Sequence, residues 1–135
     1  MLATLNIASL ETFVYRAPIA TPVQTSFGTM RDRPAVFVKV TDRDGATGWG
    51  EIWCNFPTVG AEHRARLADS VFAPLFEGKS FFSPEVAFVS LTAQTEILAI
   101  QTAEPGPIAQ CIAAIDIAMW DLHARRLGKP LWKNG

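Results

Sequence analysis

The sequence predicts an α+β fold: a three-stranded antiparallel meander followed by about three helices. The first half of the chain carries β-type residue patterns and the second half carries helical ones. Turn residues separate the strand candidates, and no strand-helix-strand alternation occurs. Strands first and helices afterwards place helices on one face of an antiparallel sheet.

Leu5 to Arg16 is rich in β-branched and aromatic residues, but its alternation breaks near Ser9, which predicts a bulge or an edge strand. Pro34 to Asp42 alternates cleanly, with Val36, Val38 and Val40 on one side and Phe37 and Lys39 on the other. Asp42-Arg43-Asp44-Gly45 supplies a turn, with Gly45 free to take φ > 0, and a third strand follows from Ala46 to Trp53. Between the first two strands, residues 17–33 contain Pro18, Pro22 and Gly28 and are expected to form a long loop, functional or poorly ordered. A second loop is expected from Cys54 to Gly60.

Thr58 is expected to cap a helix with apolar positions Ala61, Ala65, Ala68, Val71, Phe72 and Leu75, ending at Gly78 with Pro74 in its last turn. Ser83-Pro84-Glu85 starts another, running to about Ile100, with a cap, then proline, then an acid at the positive end of the helix dipole. Glu104-Pro105-Gly106-Pro107 breaks the chain, and a long helix follows from Pro107 to Leu127, stopped by Gly128 and Pro130. That helix has two apolar stripes. Ile108, Cys111, Ile112, Ile115, Met119 and Leu122 form one; Ala113, Ile117, Trp120 and Ala124 form the other. A surface helix of a self-contained domain needs one stripe. The second predicts a further neighbour.

At 135 residues, with nine Phe and four Trp, the chain can bury one core without disulfides or metal. The net charge of −1 and scattered arginines argue against nucleic acid. No run of about 18 apolar residues suggests a membrane span. Cys54 and Cys111 read as reduced thiols of a cytoplasmic protein, and His63 and His123 have no ligand spacing to them. Gly45, Gly48 and Gly50 lie in a hairpin and give no phosphate loop.

Glu51 could be a general base but reads better as a structural carboxylate accepting hydrogen bonds. Asp116 and Asp121 lie about 140° apart on a helical wheel and cannot share one ion; each reads as a hydrogen-bonding residue at a packing seam. Ser26 has no activating partner and no nucleophile elbow around it. No self-sufficient active site is visible in the sequence.

Ala35-Val36-Phe37-Val38-Lys39-Val40-Thr41-Asp42, the Asp44-Gly45 turn and Gly48-Trp49-Gly50-Glu51 resemble the N-terminal meander of the mandelate racemase/muconate lactonizing enzyme group of the enolase superfamily. Ala114-Ile115-Asp116-Ile117-Ala118-Met119-Trp120-Asp121, then Arg125-Arg126-Leu127-Gly128-Lys129-Pro130-Leu131, resembles the last helix of the same capping domain and its exit. The resemblance covers essentially the whole chain in order. It implies a capping domain over residues 1–128 and, over 129–135, a linker cut short before a (β/α)₈ barrel. In that family the barrel holds the general bases and the carboxylate ligands of Mg²⁺, and the reaction begins with α-proton abstraction from a carboxylate. The resemblance therefore implies no catalytic residue, cofactor or metal ligand in this chain. Its implied partners are the barrel and, in the full-length enzyme, a small carboxylate substrate such as an acid sugar.

The capping domain's two loops confer specificity in that family. By position they fall around Thr21 to Arg33 and Trp53 to Gly60, which makes Thr25, Ser26, Phe27, Asn55 and Phe56 the candidate substrate-facing residues. Alternatively, Phe27 and Phe56 pin their loops to the domain. Two other readings of the whole chain compete with the capping-domain one. One is a stand-alone module that forms a homo-oligomer or binds a partner through the two-faced last helix; the other is a small ligand-binding protein using its aromatic loops.

Overall fold

The computed structural model describes residues 4–133. Three long strands form the meander: β1 (Leu5–Thr25), β2 (Gly28–Asp42) and β3 (Thr47–Ile52). A two-residue strand, β4 (Ser80–Phe81), pairs with Leu5 and Asn6 and extends the sheet to the order β3-β2-β1-β4. The expected three strands are thus joined by a fourth, too short to carry a period of its own.

The pairing of β1 with β2 slips between Ile7 and Ser9, which is the bulge expected near Ser9. A larger correction concerns residues 17–33. They form a two-stranded ribbon in which β1 and β2 continue past the sheet to the turn Thr25-Ser26-Phe27-Gly28. The prolines did not end the strand. The pairing instead slips between Pro18/Asp32 and Val23/Met30, so that residues 19–22 bulge opposite Arg31. An outlying ribbon tolerates missing N–H donors that a central strand would not.

Val36, Val38 and Val40 of β2 are fully buried, together with Leu5, Ile7 and Ile52. Phe13, Tyr15, Phe37 and Trp49 occupy the opposite face of the sheet, where Phe13 meets Trp49 and Tyr15 meets Phe37 at centroid distances of 5.7 and 5.9 Å. At the β2–β3 turn, the buried carboxylate of Asp42 accepts from the amides of Asp44 and Ala46, both at 2.9 Å, and Gly45 takes φ +86° as expected. Arg126 donates to the same carboxylate and, at 3.1 Å, to Asp44.

The first helical region is not one helix. It runs as α1 (Gly60–Leu67), a wide π-type turn (Ala68–Phe72) and α2 (Ala73–Phe76). Pro74 explains the break, because it has no N–H to give and its ring would crowd the Ser70 carbonyl in an unbroken α-helix. Thr58 is not the cap: Val59 holds the N-cap position, with no side-chain cap bond. In α3 (Pro84–Gln101) the expected cap is present, with the Ser83 hydroxyl accepting from the Val86 amide at 3.4 Å.

The last helix, α4 (Pro105–Leu127), begins two residues earlier than expected and ends at Gly128 with φ +64°. Its first stripe, from Ile108 to Leu122, is buried. The second stripe divides: Ala124 is buried, Trp120 is half-buried, and Ala113 and Ile117 are exposed. On α3, Val86, Val89, Ile97 and Ile100 are also exposed.

The approach of α4 to β3 is set by glycine. A Cβ at Gly50 would run into the Ala114 carbonyl oxygen and lie 3.0 Å from its carbon. One at Gly48 would strike the Ala118 carbonyl oxygen and lie 2.8 Å from Leu122 Cβ. Helix backbone and strand backbone are in direct contact, and only glycine fits between them. Asp121 closes the same seam by accepting from the Trp49 amide at 2.9 Å and from Arg125 Nε at 3.0 Å, as expected for a carboxylate at a packing border.

Candidate functional site

Thr25, Ser26 and Phe27 lie at the ribbon tip, and Asn55 and Phe56 lie in the segment between β3 and α1. The fold brings these two stretches together through Phe27 and Phe56, whose ring centroids are 6.4 Å apart with planes inclined by 49°. Phe56 packs on the tip backbone: a Cβ at Gly28, where φ is +138°, would lie 3.2 Å from the end of its ring. The two phenylalanines have different roles. Phe56 is half-buried and pins its segment to the ribbon, whereas Phe27 is 83% exposed and projects outward.

Thr25 shapes the turn. Its hydroxyl donates to the Gly28 carbonyl at 2.8 Å and accepts from the Phe27 amide at 3.2 Å. Across the ribbon, Thr29 donates to Gln24 at 2.6 Å. Ser26 and Asn55 are exposed, and among the described residues neither side chain has a hydrogen-bond partner. Two free polar groups, one projecting ring and one anchored ring therefore share one end of the molecule.

Sequence reasoning missed the residue that ties these stretches together lower down. Arg16 Nη1 donates to Asp32 at 3.1 Å, and Nη2 donates to the Thr58 carbonyl at 2.6 Å. Nε and Nη2 take the two oxygens of Glu62 at 3.0 and 2.6 Å. The hydrogen bonds from Arg16 hold the Glu62 carboxyl below the usual carboxylate range, and Glu62 in turn raises Arg16. The signal was present in the sequence. Arg16 pairs with Pro34 on the side of the sheet where Val36 and Val38 are buried, an unusual address for arginine.

Other candidates do not assemble into a catalytic group. Glu51 is exposed on β3 opposite Phe37, with no side-chain partner among the described residues, so the reading as a hydrogen-bonded structural carboxylate is corrected. Its parity points it away from the core, out of reach of buried donors. Asp116 sits half-buried on α4, its carboxyl raised by burial and then by nearby Glu85, with the Trp120 side chain acting in the opposite direction. His63 pairs with Glu104. Cys54 and Cys111 are buried free thiols, and burial pushes Cys111 up to about 12. Among the described residues, no group of three or more His, Cys, Asp or Glu gathers to hold a metal ion. Among the described residues, no helix is long and apolar enough to cross a membrane.

The family model described as "Mandelate racemase / muconate lactonizing enzyme, N-terminal domain" matches residues 8–133. An o-succinylbenzoate synthase of Geobacillus stearothermophilus is 32% identical over 116 residues, covering 82% of this chain and 28% of the relative. A crystal structure of a mandelate racemase/muconate lactonizing enzyme from Bordetella bronchiseptica RB50 is 53% identical, with a TM-score of 0.87 over 97% of this chain and 33% of that one. A racemase from Streptomyces coelicolor A3(2), solved with bound magnesium, is 27% identical, with a TM-score of 0.74 over 90% of this chain and 32% of that one. The chain thus spans about a third of the length of these relatives.

Proposed function

The chain belongs to the mandelate racemase/muconate lactonizing enzyme family as its N-terminal domain, and from that premise we propose that it is the capping, specificity-determining part of a Mg²⁺-dependent enzyme. The enzyme acts by α-proton abstraction from a small carboxylate, in the racemase, cycloisomerase or acid-sugar dehydratase class. This chain is not catalytic alone. Its partner is a C-terminal (β/α)₈ barrel, which supplies the bases and holds the metal, and the setting is cytoplasmic. The bound magnesium of the Streptomyces racemase supports the metal assignment.

One observation carries the reading: two loops distant in sequence meet at Phe27 and Phe56 and leave Ser26 and Asn55 free at the same end. Ser26 and Asn55 offer hydrogen bonds to a polar substrate, Phe27 offers an apolar lid against water, and Thr25 and Phe56 hold the geometry. A closed lid strengthens electrostatic interactions beneath it by excluding solvent. The exposed apolar residues of α3 and α4, Ile97, Ile100 and Ile117 among them, are the surface available to the barrel.

The test is to replace the corresponding domain of the Bordetella relative with this chain. Turnover of that protein's substrate, with KM raised by Ser26→Ala or Asn55→Ala, is the expected result. A well-folded but inert chimera would count against it. A second reading, a stand-alone module, is favoured by the exposure of Ala113 and Ile117 on α4. It predicts a stable particle larger than a monomer on sedimentation, whereas a capping domain alone is expected to aggregate through those faces.

A further inference from the structure

Two loops that present one surface must keep a fixed spacing, and one side chain of this protein reaches both. Arg16 lies just before the point where the ribbon slips register, and its bond to Asp32 ties the two strands at that root. Its bond to the Thr58 carbonyl holds the far end of the segment that carries Asn55 and Phe56. Glu62 fixes the guanidinium from α1 with both carboxylate oxygens. The segment is therefore fastened twice, by Arg16 at the root of the ribbon and by Phe56 against Gly28 at its tip. Between those points the regular pairing is interrupted by residues 19–22 opposite Arg31, and it resumes at Val23–Met30 and Gln24–Thr29, with Met30 buried. Without the root tie, a two-stranded ribbon with a register slip has little to hold its direction.

We propose that Arg16 is a positioning residue that locks the ribbon tip and the 53–59 segment into one body, so that Ser26, Phe27 and Asn55 are presented at a fixed spacing. The importance of that spacing rests on the reading of these loops as substrate-facing; the lock itself does not. Lysine cannot replace the device, because three partners in different directions need a planar fork of donors rather than a point charge. Above the usual carboxylate range Glu62 is ionised and the fork is complete. As pH falls through the depressed Glu62 value, the carboxylate gains a proton and the lock opens. Arg16 and Arg66 lower the Glu62 value, His63 lines the same surface hollow, and Asp32 shares the same guanidinium.

The lock is read by backbone amide order parameters on the 135-residue chain, kept dilute enough to remain monomeric, with the amides of Val36 and Val38 as a core reference. In the wild type both loops are expected near the rigid value of about 0.85. Arg16→Met is expected to drop Ser26–Gly28 and Asn55–Thr58 together, to below about 0.6, with the core unchanged. Arg16→Lys is expected to restore neither loop fully. Unchanged order in Arg16→Met, loss in one loop alone, or full rescue by lysine would each overturn the proposal. If Arg16→Met does not fold, the wild-type pH profile decides. Joint loss of order in both loops at one midpoint, with the core intact, is expected; two separate midpoints would sink it. No substrate enters this measurement. A wrong reading of the loops would surface only in the chimera, and a wrong reading of Arg16 only here.

Discussion

The seam between α4 and β3 and the tip shared by the ribbon and the 53–59 segment are built on opposite principles. At the seam, backbone touches backbone across Gly48 and Gly50, side chains around it are buried, and Asp121 closes the edge. At the tip, a few side-chain contacts hold otherwise exposed chain: Phe56 on Gly28, the Thr25 hydroxyl within the turn, and Arg16 below. The comparison teaches that the exposed tip is held apart from the buried seam. Residues can change at the tip without loosening the core.

The sharpest way to break that contrast is Gly50→Ala. The new Cβ meets the Ala114 backbone, which cannot swing aside, so a loss of more than about 3 kcal/mol is expected in denaturant unfolding. A loss below about 1 kcal/mol would mean that the seam relaxes and that the contrast is overstated. Next in size is Asp42→Asn, which weakens the pairing with Arg126 and leaves an amide where two backbone donors and a guanidinium need a carboxylate. A cost of about 2 kcal/mol is expected by the same measurement, and restoring full stability by also changing Arg126 would show that the ion pair alone mattered. Gly28→Ala is expected to cost about 1–3 kcal/mol through its positive φ. Its Cβ meets only the end of the Phe56 ring, so NMR shift changes should stay within the tip. Spread into the α4 seam would break the comparison.

The smallest effect concerns Asp116, on the uncovered side of α4. Its pKa is raised in the folded protein, so the folded state holds its proton more tightly than the unfolded chain does. Stability on this account is greatest below the ordinary aspartate pKa and declines as pH rises through the raised value. Asp116→Asn should remove that decline and give a slight gain in melting temperature at neutral pH, with none at acid pH.

The seam was far more legible than the tip. Val36, Val38 and Val40 announced the inner face of β2, Asp42 to Gly45 announced the turn, and the first stripe of α4 announced what the sheet would meet. These signals are periodic and reinforce one another. The ribbon was hidden because Pro18 and Pro22 punctuate the sequence like a loop, while cross-strand pairing tolerated them through a register slip. The turn at Pro74 was misjudged for the opposite reason: apolar spacing stayed helical while the backbone bonds did not. At the tip, position marked Phe27 and Phe56 but could not show that one projects and the other anchors. Arg16 had a readable address and no obvious partner, since Asp32, Thr58 and Glu62 come from three different parts of the chain.

The two glycines of β3 also act as a vernier. Two residues of strand advance about 6.6–6.8 Å, and four residues of helix advance about 6 Å. Gly50 against Ala114 and Gly48 against Ala118 therefore fall into step almost together. Rotating α4 by one residue would drive Ile115 or Ile117 into the gap. The helix has one seating on the hairpin, and its direction away from the sheet is fixed by backbone dimensions, not by the choice of side chains around it.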